Sequence, residues 1–306
     1  MSLRFAQVAQ RVFNTPLMYD PRKAEAFLHG LGSRIAGDTV VITNPAGAVD
    51  HVAGSDGRPL AGKLGGRIER AYTRHNLLPF AMVDNVAIIE VEGTLVHKGG
   101  WVGDSSGETS YQGLQAQIAM ARKSPRVKGV VFECDSYGGE VSGAFETAAA
   151  ISQLSREKPT ISILTDFAYS AGYLLGAQSR QIVMPRFGGA GSIGVIMIHA
   201  DYSQALEQEG IRLTIIRSGE KKADGNPYEP LGSEIALKWQ AQADAMRVEF
   251  AGAVARGRGN RITKAKALAT EARVYDAGEA VAMGLADAIG DPLEAFDAFV
   301  SEVNRG

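Results

Sequence analysis

Residues 128–177 read KGVVFECDSYGGEVSGAFETAAAISQLSREKPTISILTDFAYSAGYLLGA. Lys128-Gly-Val-Val-Phe-Glu133 is a short apolar run with the character of a strand, and it ends in Asp135-Ser-Tyr-Gly-Gly139. Val141, Phe145, Ala148 and Ser152 then recur at helical spacing. Thr160-Ile-Ser-Ile-Leu164 is a second strand-like run, followed by an apolar helical stretch over 173–177. Strands alternating with helices of this length predict βα crossovers and a mainly parallel sheet, hence an α/β fold.

The pattern extends in both directions. Val86-Ala-Ile-Ile-Glu-Val91 predicts a strand, and Tyr111, Leu114, Ile118 and Ala121 predict a helix up to Ser124-Pro125. Downstream, strands are expected at 181–184, 192–198 and 212–216, with a long helix over 233–256. Residues 1–36 have helical spacing, divided at Pro16 and Pro21, and 37–80 read as a Gly-rich arm. The expected organisation is an N-terminal helical extension and linker arm over 1–80, a main domain over 81–290 and a tail helix over 291–306.

Composition narrows the class. The chain has 306 residues, enough for a sizeable core. Its 32 Lys and Arg against 34 Asp and Glu give a net charge of −2, without the basic excess that nucleic-acid binding needs. The single cysteine, Cys134, excludes an internal disulfide. No apolar run approaches the ~18 residues of a membrane span, and the first residues lack a signal-peptide core. A soluble cytoplasmic protein without membrane or nucleic-acid partners is expected.

Three segments could carry chemistry. In Phe167-Ala-Tyr-Ser-Ala-Gly-Tyr173, Ser170 stands between a strand and a helix among small neighbours. There its hydroxyl can project as a nucleophile beside free helix N–H groups, although an N-capping serine needs the same position. In Asp135-Ser-Tyr-Gly-Gly139, two glycines let a backbone N–H approach a bound carbonyl, as an oxyanion hole requires; a plain βα turn would use them equally well. In Arg217-Ser-Gly-Glu-Lys-Lys-Ala-Asp224, a lysine could serve as general base. Lowering an amine from ~10.4 to near 7 requires roughly 4 kcal/mol of differential desolvation. The residues alone do not say which lysine is buried, and His199, 29 residues beyond Ser170, is an alternative base.

Other matches are set aside. Gly189-x-Gly191-x-x-Gly194 fits a dinucleotide fingerprint but precedes a strand-like run instead of a helix. Two Ser-x-x-Lys matches, at Ser155 and Ser218, lack the accompanying Ser-Asp-Asn and Lys-Thr-Gly elements. The five histidines form no metal-ligand cluster, so neither metal nor cofactor is expected.

Four motifs occur in a fixed order: Asp-Ser-x-Gly-Gly at 135–139, Ser-Ala-Gly-Tyr at 170–173, Gly-Ser-Ile-Gly-Val at 191–195 and Ser-Gly-x-x-Lys at 218–222. Together they resemble the signal peptide peptidase A family of serine peptidases. Phe13-Asn-Thr-Pro-Leu17, Asp20-Pro-Arg-Lys23, Gly99-Gly-Trp-Val-Gly103 and Lys222-Ala-Asp-Gly-Asn-Pro-Tyr228 resemble its phage branch, the capsid-assembly or prohead proteases. The resemblance covers residues 5–290 and implies a Clp-protease/crotonase-like spiral of ββα units. It implies a Ser-Lys dyad of Ser170 and Lys222, with Ser192 orienting the amine. Gly138 or Gly139, together with Ala171, would supply the oxyanion hole. It further implies a homo-oligomeric ring in which serine and lysine can come from neighbouring subunits. Substrates would be portal or scaffold proteins, or the enzyme's own termini, in the host cytoplasm or the prohead. Tyr137 departs from the family's usual proline. The alternatives are a signal-peptide-degrading or general peptidase of the same family, a Clp-like Ser-His mechanism, a crotonase-type acyl-CoA enzyme, and a catalytically silent shell protein.

Overall fold

The computed structural model describes residues 15–19, 77–99 and 107–305, with Thr73, Val102, Asp104 and Ser105 between them. Of the helical stretch expected over residues 1–36 only 15–19 are described, and there Leu17–Tyr19 is a strand between the two prolines; most of the 37–80 arm lies outside the described residues. The strands are β1 (Leu17–Tyr19), β2 (Ala81–Val83), β3 (Val86–Val96), β4 (Asp104–Ser105), β5 (Glu108–Ser110), β6 (Gly129–Glu140), β7 (Thr160–Tyr169), β8 (Gln181–Met184), β9 (Gly189–Gly191), β10 (Val274–Asp276) and β11 (Ala288–Ile289). The helices are α1 (Tyr111–Lys123), α2 (Ala144–Glu157), α3 (Ala171–Gly176), α4 (Ser203–Gln208), α5 (Ser233–Arg258), α6 (Lys264–Leu268), α7 (Ala277–Met283) and α8 (Pro292–Arg305).

One sheet organises them in the order β10-β9-β7-β6-β3-β5-β4. Its centre is parallel: β3 runs with β6, and β6 with β7. Both faces are covered, which explains the near-continuous apolar runs of the central strands. Alternation divides β6 between two cores. Val130, Phe132 and Cys134 face the main cluster with Leu114, Leu154, Leu174 and Phe250. Val131 faces the other way, joining Ile161 and Ile163 beneath Phe299 and Val300 of α8. A side chain on Gly129 would strike Val303 of that helix at 2.7 Å.

β7 changes partner along its length, and that change positions the site. Ile161 to Ile163 pair with β8, whereas Phe167 to Tyr169 pair with β9. β6 also slips register between Cys134 and Ser136. Beyond Ser136 it no longer has β7 beside it, and a slot opens at its edge. Fully buried Arg258 clasps Asp287 through two bonds of 2.8 and 2.9 Å and donates to the Gly284 carbonyl, tying the end of α5 to the segment that follows α7.

Three expectations change. The Gly-Gly segment is not a βα turn: β6 runs through it to Glu140, because Gly138 and Gly139 are paired on both edges, with β3 and with β1. Residues 192–198 form no strand beyond an isolated bridge at Ile196, and 212–216 form none. Their apolar alternation is the strand signal, but among the described residues no strand pairs with 212–216. Ile211, Leu213, Ile215 and Ile216 stay exposed, Ile216 to 94%.

Candidate active site

Ser170 follows the last residue of β7 and precedes α3, and it is only 1% exposed. Its backbone has φ 52° and ψ −121°, a conformation that costs a side-chain-bearing residue on the order of 1–3 kcal/mol. Two bonds hold it there: its N–H donates to the Gly191 carbonyl at 2.9 Å, and its carbonyl accepts from Leu174 N–H at 2.9 Å. The side chain does not cap α3. A strained turn that leaves the hydroxyl out of the capping bond is the arrangement a nucleophile requires and an N-cap does not.

Gly138 forms the facing wall. At φ 101° it occupies a conformation natural to glycine. A Cβ there would collide with the Met18 carbonyl oxygen and stand 2.9 Å from Ser170 Cβ and 3.0 Å from Ala171 N. Absence of a side chain at 138 therefore keeps a carbonyl-sized space open between the serine and the first amide of α3. The Gly138 N–H is already committed to Ser136 Oγ at 3.1 Å, and that hydroxyl donates to the Gly93 carbonyl at 2.6 Å. Among the described residues Gly139 has no such side-chain bond; its partner in register on the β1 edge is Met18. Ser136 emerges as the organiser of this corner, a role sequence reasoning missed. Its place in Asp135-Ser-Tyr-Gly-Gly139, one residue before the tyrosine, was the available signal.

Ser192 lies next to the Gly191 that anchors Ser170, 4% exposed and at φ 57°. Its N–H donates to the Arg273 carbonyl at 2.9 Å. One strand end thus fixes both serines. Tyr137, Phe167 and Tyr169 form an aromatic group with ring centroids 5.4–5.5 Å apart. Tyr137 therefore packs against the end of β7.

The bases are placed differently. Lys222 is exposed on a short 3-10 turn, Glu220–Ala223. Among the described residues no hydrogen bond joins it to Ser170. Lys221 is bound to Glu234 at 2.8 Å, and that carboxylate holds its ammonium above the usual lysine range, the opposite of what a base needs. His199 Nε2 lies 3.0 Å from the Asn226 carbonyl. A carbonyl only accepts, so this nitrogen carries the proton and is not free to take one. The structure thus brings together Ser170, Ala171, Gly138, Gly139 and Ser192, and leaves Lys222 on an arm.

Cys134 has its thiol pushed up to about 12 by burial, which removes it as a rival nucleophile. Among the described residues there is no cluster of three or more metal-ligating side chains, and no helix long and apolar enough to cross a membrane.

Ser170 is thus a buried, strained serine where a mainly parallel α/β sheet passes to a helix, beside Gly138 and the Ala171 amide. Comparison places it further: residues 152–304 match the model of Peptidase family S49, and the chain belongs to that family. Its mainly parallel central sheet with helices on both faces is the α/β arrangement that the alternating strands and helices predicted. Capsid assembly protease C of Escherichia phage lambda is 33% identical over 297 residues, covering 94% of this chain and 64% of that protein. Head-tail preconnector protein GP5 of Enterobacteria phage P21 is 31% identical, covering 99% and 59%. A putative signal peptide peptidase SppA of Enterococcus faecium is 30% identical, covering 75% and 67%. The chain spans about three fifths of the length of the two phage relatives. Among solved structures, an enoyl-CoA hydratase from Shewanella pealeana aligns at 11% identity and TM-score 0.42, over 74% of this chain and 73% of that one. A ClpP1 mutant from Listeria monocytogenes aligns at 13% and 0.40, over 67% and 91%. Likeness at that level carries no chemistry to this chain.

Proposed function

We propose that this chain is a serine endopeptidase with a Ser170–Lys222 dyad, acting on head proteins of a phage or prophage during capsid maturation. The observation that carries the reading is Ser170 at a strained strand-to-helix turn, with Gly138 keeping the space before the Gly139 and Ala171 amides open. Substrate enters as an extended strand along the β6 edge, the mode by which a sheet recognises peptides of varied sequence. Lys222 Nζ takes the hydroxyl proton as Ser170 Oγ bonds to the peptide carbon, and the two amides receive the developing oxyanion. The ammonium then gives its proton to the leaving amine as the C–N bond breaks, and water hydrolyses the acyl-enzyme through the same amine.

A lysine acts as a base only where burial strips its hydration, and the single chain leaves Lys222 exposed. The arm that carries it also exposes Ile211, Leu213, Ile215 and Ile216. Packing of that arm on a neighbouring subunit would cover both, so we place the lysine of each site on the adjacent protomer of a homo-oligomeric ring. Portal and scaffold proteins are the proposed substrates, in the host cytoplasm or within the prohead.

The test is cleavage of a denatured peptide mixture, read by mass spectrometry, with wild type, Ser170→Ala, Lys222→Ala and His199→Ala. Cleavage by wild type and His199→Ala alone is expected. Survival of activity in Lys222→Ala with loss in His199→Ala would replace the lysine by the histidine. Survival in Ser170→Ala would remove the serine mechanism.

A further inference from the structure

The slot at the edge of β6 is already filled, by this chain. β1 pairs antiparallel with the end of β6, placing Leu17, Met18 and Tyr19 opposite Glu140, Gly139 and Gly138. On its other side, Leu17 exchanges two backbone bonds with Ile196, at 2.9 and 2.8 Å. The segment therefore lies between two walls, just beyond the point where β7 turns away to Ser170.

Its register is informative. The Val141 N–H donates to the Pro16 carbonyl at 3.3 Å. Bonded pairs in an antiparallel ladder recur at every second residue, so the next is Met18 with Gly139. The Leu17 groups point the opposite way, to Ile196, as that alternation demands. The Met18 carbonyl is thus turned toward the Gly139 amide, the proposed oxyanion donor. The same oxygen is the first atom a Gly138 Cβ would strike, with Ser170 Cβ and Ala171 N as the next two. The register and the surroundings of Gly138 thus converge on one carbonyl at this corner. The Met18 side chain, 0% exposed, enters the main core cluster.

We infer that Leu17–Tyr19 is an intramolecular occupant of the substrate track, with Met18 in the place of the residue whose carbonyl is attacked. Two properties follow, both resting on the serine-peptidase reading above. Another peptide enters only when this strand leaves or is cut after Met18, so the free enzyme restrains itself. The position preceding the cut bond accepts an unbranched or γ-branched apolar side chain, because Met18 is the most deeply buried of the three.

Full-length wild type, Met18→Asp and Leu17→Pro would be compared for cleavage of fluorescein-labelled casein and for intact mass. The introduced carboxylate would place a charge in an apolar pocket. The proline keeps much of the bulk but deletes the N–H that Ile196 accepts, so it serves if the first variant fails to fold. Expected is roughly tenfold faster casein cleavage in a variant that keeps its fold, as for release of a track occupied about nine-tenths of the time. Loss of residues 1–18 from wild type but not from Ser170→Ala would equally support the occupant, caught in a productive register. Casein cleavage by wild type with an intact N-terminus, and no acceleration in a folded variant, would overturn this inference and leave the peptidase reading standing. No casein cleavage by any of them, with Ser170 unlabelled by a fluorophosphonate, would overturn both.

Discussion

The β6–β7 corner and the arm that follows Ser192 carry the two halves of one proposed dyad, yet they are built in opposite ways. The serine half is overdetermined. Ser170 is buried and strained, with one hydrogen bond on each side of its backbone, and the Ser136 hydroxyl links the Gly138 N–H to the Gly93 carbonyl within the sheet. The lysine half lies on an exposed 3-10 turn, on a segment whose isoleucines face solvent. A rigid acceptor of charge paired with an uncovered base is what a site looks like when assembly completes it. Strain can be held only where surrounding packing fixes it, whereas desolvation of an amine can be supplied by whatever docks on it.

The largest effect that would sharpen this contrast is expected at Gly138. Gly138→Ala puts a methyl at φ 101°, against Ser170 Cβ and Ala171 N. It should lower kcat by about 100-fold or more, as loss of an oxyanion donor does, while the fluorescence-monitored unfolding transition persists. Near-normal turnover would show that this corner does not hold the reacting carbonyl.

Next is Asp287→Asn. It leaves the fully buried Arg258 guanidinium without its carboxylate, at a cost of about 3–5 kcal/mol. A fall in melting temperature on the order of 10 °C is expected in calorimetry. An unchanged melting temperature would show that the clasp does not fasten α5.

On the arm, Ile216→Ser should leave the melting temperature of the isolated chain within the ±0.5 kcal/mol range of surface changes, yet weaken self-association in sedimentation velocity and lower activity with it. A destabilised monomer would mean that Ile216 already has its cover within one chain.

The smallest effect concerns Cys134. Burial raises its thiol from 9.0 to about 12, so it stays protonated across the neutral range. Iodoacetamide at pH 8 should leave both mass and activity unchanged. The sign at high pH is adverse: between those two values the unfolded chain has lost a proton that the folded chain retains. Stability therefore falls as pH rises above about 9, and alkylation should appear together with unfolding. Alkylation of the native protein at pH 8 would contradict the burial.

The sequence was easiest to read where one chain satisfies its own elements. Gln181–Met184 has the expected bounds, and Val86–Val96, Tyr111–Lys123 and Ser233–Arg258 form over the expected segments, because each apolar stripe finds its cover nearby. The same alternation at 212–216 misled, because a strand signal reports a face seeking burial and not the edge it will join. Gly138 and Gly139 resembled a turn because glycine marks turns and close backbone approach alike. The three residues of β1 could not be found locally: their partners are more than a hundred residues away, and only Pro16 hinted at extended backbone. Ser170 and the glycines stood out as motifs in the residues themselves, whereas Ser192 and Lys222 were legible only by resemblance. The chemistry proposed for Lys222 depends on burial that the described residues do not provide.

The most direct test of a divided site is to mix Ser170→Ala and Lys222→Ala, each inactive alone, under conditions where subunits exchange. If each site takes its serine from one protomer and its lysine from the next, random mixing leaves about a quarter of the sites intact, and peptide cleavage should return to about that share of the wild-type rate. Mixed oligomers, verified by native mass spectrometry, that remain inactive would contradict the account and place both residues of each working site on one chain.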